Sequence, residues 1–148
     1  MAKDKVTLML DSGAFTAWKQ NTTVDLKGYI RFIKQYEDRL FSCVNLDVIP
    51  GRPGYVPAAR EIERAAEEGW ANWETLTKVL APHGIGPLHT YHRGEDVKWL
   101  KRLIDRAEYL GIGGRALPGM TNPDRIAYLD EIMPLLTDEG GWPIRKLH

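Results

Sequence analysis

The stretch Met9-Leu10-Asp11-Ser12-Gly13-Ala14-Phe15 is the part of the sequence that best predicts the fold, because an apolar run ends there in an acid, a hydroxyl and a glycine. Residues 6–10 alternate too little for a half-exposed strand and suit a strand that is buried on both faces, as in a parallel sheet. Asp11 then follows the carboxyl end of this strand, which is the end that faces the ligand in α/β proteins. The alternative is a capped turn into a helix, in which Asp11 and Ser12 accept hydrogen bonds from backbone amides.

Beyond this stretch, short apolar runs alternate with amphipathic ones, which is typical of βα units. Further strands are predicted at residues 40–48, 85–90, 109–114 and 143–148, and helices at residues 26–36, 57–80, 97–107 and 122–136. We expect Gly69 to kink or break the second of these helices and Pro134 to bend or shorten the last one. The inner face of the last helix is expected to consist of Ile126, Leu129, Met133 and Leu136.

Four βα units and a fifth strand predict a single α/β domain over residues 1–148, with two possible architectures. An open doubly wound sheet is complete at this length, whereas a TIM (β/α)₈ barrel typically needs about 250 residues. We favour the N-terminal half of such a barrel, which is an incomplete barrel, because chemically active residues follow consecutive strand ends and are expected to converge at one mouth. These residues are Asp11, Asp47, His89 or His92, and the pair Gly113-Gly114.

The composition is that of an ordinary globular protein, with 43% hydrophobic and 27% charged residues. Twenty basic and twenty acidic residues give a formal charge of zero, which argues against a general nucleic-acid-binding surface but is compatible with a local basic patch. Cys43 is the only cysteine, so neither an internal disulfide nor a cysteine-rich zinc site can form. The sequence has no targeting segment and no run of about eighteen apolar residues, so we expect a cytoplasmic protein that does not enter a membrane.

The residues at the expected mouth suit a flat, hydrogen-bonding ligand. Two carboxylates, Asp11 and Asp47, can hold a heterocyclic base through its ring N–H and amino donors, and a glycine pair exposes backbone N–H and C=O groups to the same ligand. Gly13 lets the backbone approach a bound group, and Phe15 offers a ring face for stacking, a contact of about 1–3 kcal/mol per base. The pattern therefore predicts a site for a purine-like base.

Two further groups of side chains have open interpretations. His89 and His92 lack a third metal ligand in the sequence pattern, so we expect one to be a hydrogen-bonding residue of the pocket and the other a loop residue. Arg52, Arg93 and Arg115 each follow a predicted strand end and form either a phosphate-contacting rim or ordinary solvated loop positions.

Three motifs resemble one enzyme family. Asp11-Ser12-Gly13-Ala14-Phe15 is similar to the DSGGF or DSGGY motif of the tRNA-guanine transglycosylases and of their DNA-modifying relatives in bacteria and phages. Asn45-Leu46-Asp47-Val48-Ile49-Pro50 resembles the second strand-end acid of that family, and Gly111-Ile112-Gly113-Gly114-Arg115-Ala116 resembles its glycine pair. The resemblance spans most of the chain and is nearest to the phage-type branch. Ala14 and Thr16 depart from the tRNA enzymes, which carry glycine and glutamine there, so the choice between DNA and tRNA stays open.

The resemblance implies a transglycosylase that exchanges guanine for a 7-deazaguanine base in DNA or tRNA. It implies that Asp11 contacts the base and handles protons, that Phe15 covers the base and that Asp47 reads its donor edge. The full set of expected substrate-binding residues, besides the catalytic Asp11, is Ser12, Gly13, Phe15, Asp47, His89, Gly113, Gly114 and Arg115. The aspartate nucleophile and the structural zinc site of the family lie later in its sequence and have no match here, so we expect no cofactor and no metal site in this chain.

Two other classes of function stay open. The chain is alternatively a non-catalytic base-binding or assembly subunit, or a small open-sheet enzyme in which Asp11 and Asp47 bind a metal for phosphate chemistry. Half of a barrel has open edges and uncovered apolar side chains. We therefore expect a second copy or a second chain as partner, in addition to the base and the polynucleotide, and no guanine exchange by the isolated chain.

Overall fold

The computed structural model describes residues 7–114 and 121–148, and the elements within them alternate between strand and helix. In chain order they are β1 (Leu8–Leu10), α1 (Ala14–Lys19), α2 (Leu26–Gln35), β2 (Leu40–Val44), α3 (Ala59–Leu80), β3 (Gly86–Tyr91), α4 (Val97–Arg106), β4 (Tyr109–Ile112), α5 (Asn122–Leu136) and β5 (Lys146–Leu147). Short 3₁₀ turns occupy Glu37–Arg39 and Ala81–His83. In these two ranges, no helix has both the length and the apolar character needed to cross a membrane.

The strands form a parallel sheet in the order β1-β2-β3-β4-β5, so each strand pairs with the next one along the chain. The predicted α/β class with parallel βα units is therefore confirmed. The chain divides into two compact units within β3: unit 1 ends at Leu88, and unit 2 begins at His89.

Unit 1 has its core between the sheet and two helices. Tyr29 and Ile33 of α2 are buried, and so are Leu76 and Leu80 of α3. The two members of each pair are four residues apart, so they share one face of their helix. Helix α2 begins at Asp25, whose carboxylate accepts a hydrogen bond of 2.8 Å from the amide of Gly28. The remaining members of this buried cluster are Cys43, Leu46 and Ile85.

Helix α3 runs without interruption through Gly69, so the expected break into two helices was wrong. Gly69 is buried, and its carbonyl oxygen accepts a hydrogen bond of 2.9 Å from the side-chain amide of Asn45. Ala65 and Ala66 are buried before the glycine, and Trp70 and Trp73 are buried after it. This burial stabilises the helix on both sides of Gly69 and outweighs its low helix propensity.

In unit 2, α4 buries Trp99, Leu100 and Leu103, and α5 buries Tyr128, Ile132 and Leu136. The expected inner face of α5 was correct only at Leu136: Leu129 and Met133 are half-buried, and Ile126 is 59% exposed. The physical reason is that the ring of Tyr128 offers more apolar area than Ile126, and Tyr128, Ile132 and Leu136 form a stripe with a spacing of four. The helix extends two residues past Pro134.

Two strands of unit 1 differ from the prediction. Strand β1 is not buried on both faces, since Leu8 is 52% exposed and Met9 and Leu10 are half-buried; it lies at the end of the strand order and pairs with β2. Strand β2 ends at Val44 rather than at residue 48. Asp47 therefore lies three residues beyond the strand.

Candidate functional site

The hydroxyl group of Tyr29 lies at the carboxyl ends of β1 and β2. It donates a hydrogen bond of 2.8 Å to the carbonyl oxygen of Val44 and lies 3.4 Å from the carbonyl oxygen of Leu10. Burial raises the pKa of Tyr29 far above its ordinary value, and the adjacent Cys43 thiol and the negative charges of Asp11 and Asp47 raise this pKa further. The Tyr29 hydroxyl group therefore lies at the two strand ends that Asp11 and Asp47 follow.

Asp47 follows a segment that helix α3 holds at two points. The side-chain amide of Asn45 donates to the carbonyl oxygen of Gly69 at 2.9 Å, and the side-chain amide of Asn72 donates to the carbonyl oxygen of Leu46 at 2.9 Å. The backbone amide of Asp47 donates to the carbonyl oxygen of Asn45 at 3.1 Å, and the carboxylate lies 3.5 Å from the Asn45 side-chain nitrogen. Asp47 is half-buried, so the fold fixes its backbone and leaves part of its side chain accessible.

The turn after β1 gives its residues different environments. Asp11 is exposed, whereas Ser12 is buried and its hydroxyl oxygen accepts a long hydrogen bond of 3.4 Å from the amide of Ala14. Gly13 has a φ of +71°, in the left-handed region that glycine adopts without strain. Ser12 therefore has a local partner in the turn, in agreement with the capped-turn interpretation for that residue, while Asp11 faces solvent.

Phe15 is part of helix α1 and is 61% exposed, so it is not a core residue. Its ring stacks against the ring of Trp18, with a centroid separation of 5.8 Å and an angle of 26° between the planes. The indole N–H of Trp18 donates to the carbonyl oxygen of Gly51 at 3.0 Å and so connects α1 to the loop after β2.

The glycine pair of unit 2 packs directly against the residues that follow β3. The amide of Gly113 donates to the carbonyl oxygen of Tyr91 at 2.8 Å, and a Cβ atom added at Gly113 would lie 2.6 Å from Nδ1 of His92. Gly114 has a φ of +80°, and a Cβ atom there would lie 2.7 Å from Cβ of Arg93. Close packing therefore requires glycine at both positions, whether or not a base binds there.

The other predicted residues lie in unit 2 or outside the described residues. His89 is buried within β3, and the imidazole that borders Gly113 is that of His92. Arg115 lies outside the described residues. Convergence of His89 and the glycine pair with the two acids of unit 1 stays a prediction.

A cavity of about 730 Å³ opens at the amino ends of β4 and β5, at the end of these strands opposite to Gly113. Its lining contains none of the predicted site residues; it consists of Asp105, Arg106, Ala107, Glu108, Pro143, Ile144, Arg145 and Lys146. Within residues 7–114 and 121–148, no three histidine, cysteine or acidic side chains come together at a spacing that suits a metal ion.

Sequence reasoning missed two buried polar side chains next to the segments that carry Asp11 and Asp47. Tyr29 lies within the helix predicted over residues 26–36 without a role of its own, and Asn45 belongs only to a motif. The available signal was chemical: a tyrosine on an inward-facing helical stripe brings a hydroxyl group that needs a hydrogen-bond partner once buried. A buried asparagine side chain also needs hydrogen-bond partners, and Asn45 has no exposed surface.

Comparisons with protein-family models, with curated proteins and with solved structures found no match to this chain. The resemblance to the transglycosylases therefore depends on the three motifs alone.

Proposed function

We propose that unit 1 binds a guanine-like base at the carboxyl ends of β1 and β2, as the base-recognition part of a transglycosylase that inserts a 7-deazaguanine base into DNA or tRNA. The observation that carries the proposal is that the Tyr29 hydroxyl group lies against the last carbonyl oxygens of both β1 and β2, the two strands that Asp11 and Asp47 follow. Neighbouring parallel strands lie about 4.8 Å apart, so acids that follow their ends can reach opposite sides of one planar ligand.

The chemistry of guanine fits two carboxylates of this kind. Its N1–H and 2-amino groups are adjacent donors, and an ionised carboxylate accepts two such hydrogen bonds side by side. We assign this edge to Asp47, whose backbone is fixed by α3. We assign the proton-handling role at the base to the exposed Asp11, and the covering role to Phe15, whose ring is 61% exposed.

The remaining part of the proposal concerns the partners. A second copy or a second chain is proposed to supply the aspartate nucleophile in the cytoplasm of a bacterium or a phage-infected host. The alternative function is a non-catalytic subunit that binds a base in the same pocket but does not break the glycosidic bond. Release of guanine from a polynucleotide separates these two functions, because only the enzyme breaks the glycosidic bond.

Calorimetric titration with 7-deazaguanine and with adenine tests base recognition. We expect 7-deazaguanine to bind and adenine to bind much more weakly, because adenine lacks the N1–H and 2-amino donors. Asp11→Asn and Asp47→Asn should each weaken the binding of 7-deazaguanine by about tenfold or more, since a hydrogen bond to a charged group contributes about 1.5–3 kcal/mol. Asp38→Asn, at an exposed acid on a 3₁₀ turn, is the matched control and should leave the affinity unchanged.

Equal affinities for 7-deazaguanine and adenine, or full binding by Asp47→Asn, would overturn the proposal. Incorporation of labelled guanine into DNA or tRNA then assigns the reaction. Guanine exchange by this chain alone would place the nucleophile within it. Base binding without exchange, with exchange appearing when a second polypeptide is added, supports an enzyme divided between two chains.

We also propose that the sheet is the N-terminal half of a TIM barrel rather than an open doubly wound sheet. The support is the strand order, which follows the chain without reversal, whereas a doubly wound sheet reverses its order at a switch point. An experimental structure tests this proposal. Strands tilted and curled toward closure are expected, and helices distributed over both faces of an open sheet would contradict it.

A further inference from the structure

We propose that unit 1 carries a stacking platform for an unpaired strand of nucleic acid. The platform consists of the rings of Phe15, Trp18 and Tyr55 and the cations of Lys19 and Arg52. The inference rests on the proposed function, because the strand it holds is the one whose base reaches the acids at the ends of β1 and β2. The molecule that binds the platform is a strand of flat bases joined by phosphates.

The first half of the platform is helix α1. Phe15 and Trp18 lie one helical turn apart, and their rings are stacked at 5.8 Å between centroids. The ammonium group of Lys19 lies 5.6 Å from the centroid of the Phe15 ring, so a positive charge borders the aromatic surface.

The second half is the loop that follows β2. The indole N–H of Trp18 donates to the carbonyl oxygen of Gly51 at 3.0 Å. The ring of Tyr55 packs over the same glycine, since a Cβ atom at Gly51 would lie 2.8 Å from Cδ1 of Tyr55. Tyr55 is 47% exposed, and its hydroxyl donates to the carboxylate of Glu61 at 3.1 Å, which holds the ring in place. Trp18 and Tyr55 thus both contact Gly51.

The exposed rings of Phe15 and Tyr55 and the half-buried ring of Trp18, with cations beside them, suit single-stranded nucleic acid better than other ligands. Unpaired bases stack on aromatic side chains regardless of sequence, whereas in a duplex the faces of the bases are already covered. Lys19 and Arg52 are both exposed and can contact the phosphates of the strand. A neutral protein needs only such a local patch, and the zero net charge of the chain does not oppose it.

Fluorescence anisotropy with labelled strands of about 15 thymidines or uridines tests the platform. We expect both single strands to bind at least about tenfold more tightly than a blunt duplex of the same length, and the stronger of the two identifies DNA or RNA as the preferred strand. Trp18→Ala and Tyr55→Ala should each weaken binding about tenfold. The control is Phe32→Ala on α2, which removes another exposed ring and should leave binding unchanged.

Trp18→Phe keeps a ring but loses the hydrogen bond to Gly51, so it should retain most of the affinity even if Trp18→Ala does not fold. The salt dependence adds a second readout, since each phosphate contact contributes a slope of about 0.7 in a plot of log affinity against log salt for single strands. Lys19→Ala and Arg52→Ala should each reduce that slope by about this amount, and Lys34→Ala should not.

The platform is overturned if single strands fail to bind, if the duplex binds equally well, or if Phe32→Ala weakens binding as much as Tyr55→Ala. Its failure can be distinguished from failure of the proposed function. A protein that binds 7-deazaguanine but no strand overturns the platform alone, and one that binds the strand but no base overturns the base site alone.

Discussion

The hydroxyl group of Tyr29 donates a hydrogen bond of 2.8 Å to the carbonyl oxygen of Val44. This bond connects the inner face of α2 to the last residue of β2, and the same hydroxyl lies 3.4 Å from the carbonyl oxygen at the end of β1. One side chain therefore ties together the two strand ends that Asp11 and Asp47 follow.

Tyr29→Phe removes the hydroxyl group and keeps the ring. The free energy of unfolding should fall by about 1 kcal/mol, because one partly buried hydrogen bond is lost. Urea unfolding measures the change. Tyr36→Phe, at an exposed tyrosine just after the same helix, is the control and should change stability by less than about 0.5 kcal/mol. Equal effects of the two substitutions would show that the Tyr29 hydrogen bond contributes nothing.

Alkaline pH should destabilise the protein through Cys43. Burial raises the pKa of the Cys43 thiol from its ordinary value of 9.0 to about 12, so the folded protein holds this proton more tightly than the unfolded chain does. The stabilisation is therefore complete below the unfolded pKa and is lost as the pH rises toward the folded one. The urea midpoint should fall between about pH 9 and about pH 10.5, and it should fall less steeply in Cys43→Ala. A midpoint of the wild-type protein that does not change over this range would contradict the prediction.

The glycine pair gives a test of packing in unit 2. Gly113→Ala and Gly114→Ala should each destabilise the protein by about 1–3 kcal/mol, because the new Cβ atoms would lie 2.6 Å from His92 and 2.7 Å from Arg93. Gly86→Ala is the control, since a Cβ atom at that position meets no heavy atom within 4 Å. It should be neutral or slightly stabilising. The midpoint of thermal unfolding measures these changes. An unchanged midpoint in Gly114→Ala would be inconsistent with the close approach to Arg93.

Phe15→Ala separates a role in binding from a role in folding. The side chain is 61% exposed, so stability should change by less than about 0.5 kcal/mol. The affinity for 7-deazaguanine should fall by about tenfold, because a stacking contact is worth about 1–3 kcal/mol. Phe32→Ala should leave this affinity unchanged. A stable Phe15→Ala protein with full affinity for the base would remove Phe15 from the base site.

The alternation of strands and helices could be predicted because apolar periodicity reports directly on which side chains are buried. The length of β2 could not be predicted in this way. Residues 45–48 continue the apolar pattern of the strand, but the side chain of Asn45 binds the carbonyl oxygen of Gly69, an interaction across 24 positions of sequence. Local patterns contain no information about partners that are distant in sequence.

In the candidate site, too, local features could be predicted from the sequence and contacts between distant residues could not. The positions of Asp11 and Asp47 near strand ends followed from the sequence, because an acid after an apolar run is a local feature. The role of Tyr29 did not follow, because its hydrogen-bond acceptor Val44 comes from another element. The inner face of α5 was misassigned since tyrosine counts as polar in a simple pattern, although the ring of Tyr128 is buried.

The central claim is that Asp47 reads the donor edge of a guanine-like base. Its most direct test is a calorimetric comparison of guanine with hypoxanthine, which lacks only the 2-amino donor, in the wild-type protein and in Asp47→Asn. The wild-type protein should prefer guanine by about tenfold, because hypoxanthine leaves one carboxylate oxygen unpaired. Asp47→Asn should bind guanine weakly and show no such preference. The same preference in both proteins, or none in the wild-type protein, would contradict the account.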